Sequence, residues 1–481
     1  MNRYGVAPTL TPARTWWIAL AVSLSIIIAL LTGQWWPTLI LPLLMLHVAS
    51  FIQTRLFHMA LLFFIPLSIE LQVSPSLGTD LPDEVVMWLL CIPITGTILW
   101  RNAKSRMVIS MHSLFRILLV QIMWVAVTII FSKYPILSVK YLLAKCWYII
   151  PFAGGAVLFL DSKERREKIA LVLICAMLLS SLFVVSRHAM NAFTFDSVNA
   201  AARPLFRNHV NYSALLVCMI PVAVAGAFIS VKWRPLFICI TLFWISALFF
   251  TYSRGAWIAL PIGVLITLAI RYHFLKWVAL AGTLTIIVVI FSLASDNRYL
   301  DHKPDYDQTI YHSDLSGHLQ ATYHLRDLST AERLYRWIAA IRMMDGHWIV
   351  GHGPNSFYPE YRSYTVNMFR TYVSDNPEKS TVHNYFLLLL TEQGIPGLAL
   401  FLLLLGVLFN SASKAYHLSS SREDRITVLT ISCILGMIFT LISLSDLIET
   451  DKIGSLFYTC VGILALMSFS EKRVDKEHGL S

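Results

Sequence analysis

His383 stands directly ahead of an apolar run, Tyr385-Phe386-Leu387-Leu388-Leu389-Leu390, and so at the edge between water and hydrocarbon. An imidazole placed there can take a proton from an attacking hydroxyl near neutral pH. The free amides of a helix beginning at this point attract anions, so a diphosphate could rest beside the ring. Arg254 lies in Tyr252-Ser253-Arg254-Gly255, a turn so short that its guanidinium must sit at or just below a membrane surface. Its fixed fork of donors matches phosphate oxygens better than a lysine does. Arg203 and Arg207 occur in Arg203-Pro204-Leu205-Phe206-Arg207-Asn208-His209-Val210-Asn211, where Asn208, His209 and Asn211 add the neutral donors that a sugar or diphosphate site needs. Each arginine could equally be an interfacial residue meeting lipid headgroups. Glu392 lies inside the run that follows His383, where carboxylates are usually paired and functional; a structural pair with an arginine is the other reading. Gly394-Ile395-Pro396-Gly397 then breaks that run.

Other chemistries find less support. Asp305-Tyr306-Asp307 matches a D-x-D pattern able to hold a divalent cation, but the match is short and sits in a segment already rich in aspartate. His302, His312, His318, His324, His347 and His352 come without a cysteine and without zinc-site spacing. No Walker-A sequence, Rossmann glycine pattern or Ser-His-Asp signature occurs. The expected chemistry therefore uses neither metal nor cofactor. The seven cysteines all fall in apolar segments with no C-x-x-C spacing, as small buried residues do.

The elements that must position these groups are membrane helices. Of 481 residues, 57% are hydrophobic and 14% charged, which excludes an ordinary soluble domain. Runs of about 20 apolar residues, the length that crosses ~30 Å of hydrocarbon, recur along the chain. They fall near 15–32, 35–53, 57–73, 84–100, 112–131, 141–160, 168–186, 209–230, 235–252, 255–271, 274–294, 384–409, 426–444 and 453–470. The turns after the first and ninth are very short. The fold class is thus an all-α polytopic membrane protein with about 12–14 transmembrane helices and one large, partly helical loop. Residues 1–294 carry helices 1–11, 295–383 the loop, and 384–481 helices 12–14.

Lysine and arginine fix the orientation. Arg55, Arg101, Lys104, Arg106, Lys163, Arg165, Arg166, Lys168, Lys232, Arg234, Arg271, Lys276, Lys414, Arg422, Arg425 and the Lys472-Arg473 tail alternate onto one side. That side is cytoplasmic and holds both termini; the 295–383 loop lies outside. The net charge of +10 follows from this arrangement and gives no reason to expect nucleic acid. Lys133, Lys140 and Lys145 are outward cations that orientation does not explain.

Within the loop, Ser329-Thr330-Ala331-Glu332 reads as a capping box opening a helix. Leu334, Trp337, Ile338 and Ile341 form its apolar stripe, with Arg333 and Arg336 on the opposite face. Asp345-Gly346 ends the helix and Gly351-His352-Gly353-Pro354-Asn355 makes a tight turn after it.

In this order the motifs resemble the O-antigen ligase and polymerase superfamily of bacterial envelope glycan assembly. Tyr252-Ser253-Arg254-Gly255-Ala256-Trp257 is similar to the family's S-R-G turn, and Glu332-Arg333-x-x-x-Trp337 with Gly351-x-Gly353-x-Asn355-x-Phe357 to its loop segment. His383-Asn384-x-x-Leu387 with Glu392-x-Gly394-x-x-Gly397 is similar to its H-N-x-x-L…E-x-G-x-x-G signature. Arg207-Asn208-x-x-Asn211 resembles the asparagine-bearing motif upstream. The likeness runs from Arg203 to Gly397. It implies a GT-C-like membrane glycosyltransferase acting on an undecaprenyl-diphosphate-linked glycan donor at the outer face of the bacterial inner membrane, among its lipids. His383, Arg254 and Arg333 would be catalytic, with Arg203, Arg207, Asn208, Asn211, Asn384 and Glu392 binding substrate. The acceptor would be lipid A–core for a ligase, or a second lipid-linked glycan for a polymerase. A glycan or small-molecule transporter is the reading from another class, although the matched internal repeats of transporters are missing.

Single-cysteine labelling of intact cells checks the orientation. A cysteine at Ser313 should label from outside and one at Ser420 should be protected; the reverse pattern would invert the topology.

Overall fold

The computed structural model describes residues 37–74, 77–295, 328–370, 374 and 380–477, with 23, 27, 30 and 33 of the preceding segment. The expected span at 15–32 falls almost wholly outside these residues. So do Asp305 and Asp307, and His302, His312, His318 and His324.

Among the described residues the apolar runs become helices, as hydrocarbon requires of any backbone whose polar groups must bond internally. Ten are long and apolar enough to cross a membrane. Three expected spans are not among them: 235–252 becomes a helix of only 16 residues, and 35–53 and 57–73 become a bent pair that ends in a hairpin. Helix α1 (Pro37–Ile52) and helix α2 (Thr54–Phe64) form a pair bent by 112°, and α2 closes with a 3₁₀ turn at Ile65–Leu67. The chain then pairs β1 (Ile69–Ser74) with β2 (Leu77–Leu81) as an antiparallel hairpin. Pro66 and the alternation of Ile69, Leu71 and Val73 with Glu70, Gln72 and Ser74 explain the switch, since a period of two suits a strand.

Helices α3 (Asp83–Gly96), α4 (Ala103–Met111) and α5 (Ser113–Ile130) follow. Next, α6 (Pro135–Tyr148) continues through a π-turn into α7 (Gly155–Phe159). Then come α8 (Lys163–Ala189), the short α9 (Val198–Ala202), α10 (His209–Ile229), α11 (Arg234–Phe249, only 16 residues), α12 (Arg254–Arg271) and α13 (Leu275–Ala294). The loop supplies α14 (Leu328–Met343) and α15 (Phe357–Glu360). The chain closes with α16 (Tyr385–Leu418), α17 (Arg422–Leu444) and α18 (Asp451–Glu477). Helix α18 is central, 94% of its apolar window being buried. Helices α12 and α17 make the most extensive pair. A Cβ on Gly263 would come within 2.8 Å of the Cys433 carbonyl, so this pair packs through small residues as membrane helices do.

The connections sort onto two ends. At one, Arg166 pairs with Asp424, Lys163 with Glu423 at 3.3 Å, and His417 Nε2 meets the Ile270 carbonyl at 2.9 Å. At the other, Tyr252 Oη donates to the Phe193 carbonyl at 2.7 Å and Ser138 Oγ to that of Pro354 at 2.7 Å. The lysine- and arginine-rich connections gather at the first end and the loop helix α14 at the second.

The feature that fixes the loop to the bundle is a break in α16. Gly394 has φ 69° and ψ −172°, far from helical values. The opened backbone is re-satisfied from outside the helix. The Thr391 and Glu392 carbonyls accept from the His352 and Gly353 amides at 3.0 and 2.9 Å. The Gln393 carbonyl accepts from Trp124 Nε1 at 2.9 Å, and the Ile395 amide donates to the Trp348 carbonyl at 2.8 Å. The Glu392 side chain, 3% exposed, completes the joint: its two oxygens take the Asn355 and Phe357 amides at 2.8 and 3.0 Å.

Backbones approach so closely that a Cβ on Gly394 would stand 2.0 Å from the Ile349 carbonyl oxygen. Gly394→Ala should therefore lower the thermal midpoint of the detergent-purified protein by more than the ~1–3 kcal/mol of a strained backbone residue alone. Gly406→Ala, whose Cβ would meet open space, is the control. Equal midpoints for the two variants would show that the joint is loose.

Candidate active site

The joint carries its geometry into α14. His352 is buried in the docked turn, with Nδ1 2.7 Å from Glu360 Oε2 and Nε2 2.7 Å from the Met343 carbonyl at the end of α14. Helix α14 is thus held at its last residue and pointed along the end of the bundle. Its buried face carries Ala331, Tyr335, Ala339 and Met343, with Glu332 and Arg336 in line. Leu334, Trp337 and Ile338 of the expected stripe pack against the core, but Ile341 is 54% exposed, and Arg336, placed opposite the stripe by the sequence, is only 5% exposed. A second correction concerns the start of the helix. Among the described residues it already begins at Leu328, one residue ahead of Ser329. Glu332 Oε2 pairs with Arg336 Nη2 at 3.2 Å and its other oxygen accepts from Ser374.

Arg336 Nη1 reaches back to the Thr381 carbonyl at 3.4 Å, tying α14 to the segment that ends in His383. His383 has φ 56°, a left-handed backbone that non-glycine residues rarely adopt. The next residue caps α16: Asn384 Oδ1 accepts from the Leu387 amide at 3.0 Å while its Nδ2 donates to the Ser443 carbonyl at 3.0 Å. The cap locks the first turn of α16 to the last turn of α17.

The electrostatics follow. Burial, helped by Arg336 and Arg333, pushes the His383 pKa down to about 3. The ring is therefore neutral at physiological pH and able to accept a proton. Two guanidiniums beside it form a field that favours an anion. Asp446, just beyond α17, has its carboxyl raised by burial, with the Thr381 hydroxyl and the Arg207 guanidinium opposing the shift. Arg207 is thereby brought to the same region from the loop before α10. Arg254 opens α12 as its first residue, and Gly255 behind it lies within a Cβ's reach of Leu444 at the end of α17. Three separate stretches thus converge around residues 381–384 and 443–446.

The remaining expected residues fall less centrally. Asn208 caps α10, its Oδ1 accepting from the Asn211 amide at 3.0 Å. His209 is bonded to Asn199 through both its amide (3.0 Å) and Nδ1 (2.7 Å). Arg203 is exposed, and its carbonyl accepts from Arg187. Glu392 is given over to the joint. Asp446 and Arg336 are the residues that sequence reading missed. Asp446 follows an apolar run as His383 precedes one, which is the signal that could have found it. Among the described residues no group of three or more His, Cys, Asp or Glu is arranged to hold a metal ion.

Residues 237–402 match the O-Antigen ligase family. The matched segment runs from α11 into α16 and includes Arg254, Arg333, His383 and the Glu392–Gly397 break. It supports a ligase- or polymerase-type role in O-antigen assembly, and hence a glycosyltransferase-type enzyme with lipid-linked glycan substrates, in a multi-pass membrane protein. None of the curated proteins matches the chain.

The depressed imidazole has a thermodynamic consequence. With a folded pKa near 3 against 6.5 unfolded, the unfolded chain holds more protons throughout that window, so this group makes stability fall as pH falls through it. His383→Gln should remove that contribution, and its thermal midpoint should drop less than the wild type's between pH 7 and pH 5. An equal drop in both proteins would mean that His383 is not held neutral by its surroundings.

Proposed function

We propose that this chain transfers a glycan from undecaprenyl diphosphate to a hydroxyl of lipid A–core at the periplasmic face of the bacterial inner membrane, as an O-antigen ligase. The observation that carries the reading is the place of His383, directly ahead of the capped mouth of a membrane helix and beside the α14 arginines, one of which bonds the Thr381 carbonyl. A reaction that expels a diphosphate and deprotonates a hydroxyl needs that pairing of cations with an uncharged base.

In this mechanism the acceptor oxygen attacks the anomeric carbon and its proton passes to His383. The bond from the anomeric carbon to the diphosphate oxygen breaks, and the configuration inverts. The diphosphate leaves on its undecaprenyl chain, its charge held by Arg333, Arg254 and Arg207 through preorganised contacts that need no rearrangement. The donor also prepares the base. A diphosphate beside Arg333 and Arg336 cancels the field that depresses the imidazole, so His383 becomes more basic once the donor is bound. The gathering of lysine and arginine at the opposite end of the bundle supports a periplasmic site, since such ends stay cytoplasmic.

The test uses purified protein, an undecaprenyl-diphosphate glycan and lipid A–core, with and without EDTA. His383→Ala should lose ~10²–10⁴-fold in rate, as removal of a positioned base does, while still binding donor. Arg254→Lys and Arg333→Lys should each lose most activity, because an ammonium cannot reproduce a bidentate fork. His347→Ala is the comparison, being exposed, whereas buried His352 and Arg336 are unsuitable as tolerant controls. Full activity of His383→Ala removes the base from the mechanism, and loss of activity in EDTA replaces it with a metal-dependent one. Transfer to a lipid-linked repeat but not to lipid A–core would make the enzyme a polymerase.

A further inference from the structure

Lys145 is one of the outward cations that neither orientation nor the proposed chemistry uses, yet it is deeply placed. Its ammonium pairs with Glu449 Oε1 at 2.6 Å, with side-chain exposures of 12% and 20%, and donates to the Tyr385 hydroxyl at 3.1 Å. Tyr141 Oη donates to the same Glu449 oxygen at 3.0 Å, and Gln393 Nε2 reaches Tyr141 Oη at 3.5 Å. The rings of Tyr141, Tyr385 and Tyr458 surround the ammonium at 5.3, 5.6 and 6.0 Å. One cation thus joins α6, the part of α16 that precedes its break, the 3₁₀ turn Leu447–Glu449 and α18. Tyr385 lies two residues after His383, and Glu449 three after Asp446.

A buried ion pair is weak evidence of net stabilisation, because desolvating both charges offsets most of their attraction. What it gives is a fixed geometry, and the two chains it ties together are the ones that present His383 and Asp446. We propose that the Lys145–Glu449 pair is a positioning element of the transfer site, holding the start of α16 against the turn after α17 so that His383 faces the acceptor hydroxyl. The inference rests on the reading of His383 as the base. Neither Lys145 nor Glu449 touches the reacting atoms.

The double variant decides the matter. Lys145→Met or Glu449→Gln alone leaves one buried group without its partner and should lower the thermal midpoint as well as transfer. Lys145→Met with Glu449→Gln removes both charges, so the midpoint should recover. The geometry stays lost, and kcat should remain about 10²-fold down, the scale of a 1 Å misplacement, with KM for the donor little changed. Lys145→Arg, which keeps the cation, should retain most activity. Wild-type kcat in the double variant, or a Lys145→Arg variant as inactive as Lys145→Met, overturns the inference. Transfer by His383→Ala, measured beside the double variant, separates the two levels of the reading. If His383→Ala loses transfer while the double variant keeps it, only the positioning role falls. If His383→Ala transfers at the wild-type rate, the base itself falls, whatever Lys145 does.

Discussion

A helix broken inside an apolar layer must have its freed carbonyls and amides bonded by something other than water, and the rest of this structure depends on how that demand is met at Gly394. The partners are the backbone amides of His352 and Gly353, the Trp348 carbonyl, and Trp124. Because those groups belong to the polar loop, the requirement of one membrane helix becomes the anchor of a segment outside the bundle. Glu392 makes the anchor directional. A carboxylate accepting two backbone amides fixes the path of residues 353–357 in a way that a single contact could not.

From that anchor the order propagates through His352 into α14, and along α14 to Arg333 and Arg336. The arginines therefore reach His383 on a rigid element held from its far end. This is the arrangement that electrostatic stabilisation needs, since donors already in place do not have to reorganise as charge develops. Glu332 answers the opposite problem. Two guanidiniums near one imidazole would repel each other, and the pair with Arg336 neutralises one of them while leaving its second fork on the Thr381 carbonyl.

The lower face of the site is built differently. Residues 381–384 and 443–446 are joined by the Asn384 side chain, which caps its own helix and bonds the last turn of α17. Since α17 packs along α12 through glycine contacts, any rotation of α17 would carry Gly255 and Arg254 with it. Base and cations are thus parts of one packed unit although they come from distant stretches of sequence.

The sequence by itself determined what depends on length, period and local chemistry. The apolar runs gave the helices, the lysines and arginines sorted their connections, and Gly394-Ile395-Pro396-Gly397 marked the break. His383 before an apolar run and Arg254 in a short turn were likewise visible, because position relative to a hydrocarbon boundary is a one-dimensional property. Only the tertiary structure decided which groups meet. The apolar stripe of α14 revealed only part of its buried face: Leu334, Trp337 and Ile338 pack against the core and Ile341 does not, while Tyr335, Ala339 and the Glu332–Arg336 pair, whose burial depends on partners distant in the chain, complete the contact. The hairpin at Ile69–Leu81 displaced the expected span because Pro66 stops the helix before the apolar run ends. The partners of Arg336, Asp446 and Lys145 could not be read from the sequence. Their roles rest on contacts across 45 to 304 residues of chain, and no local pattern records who stands opposite whom.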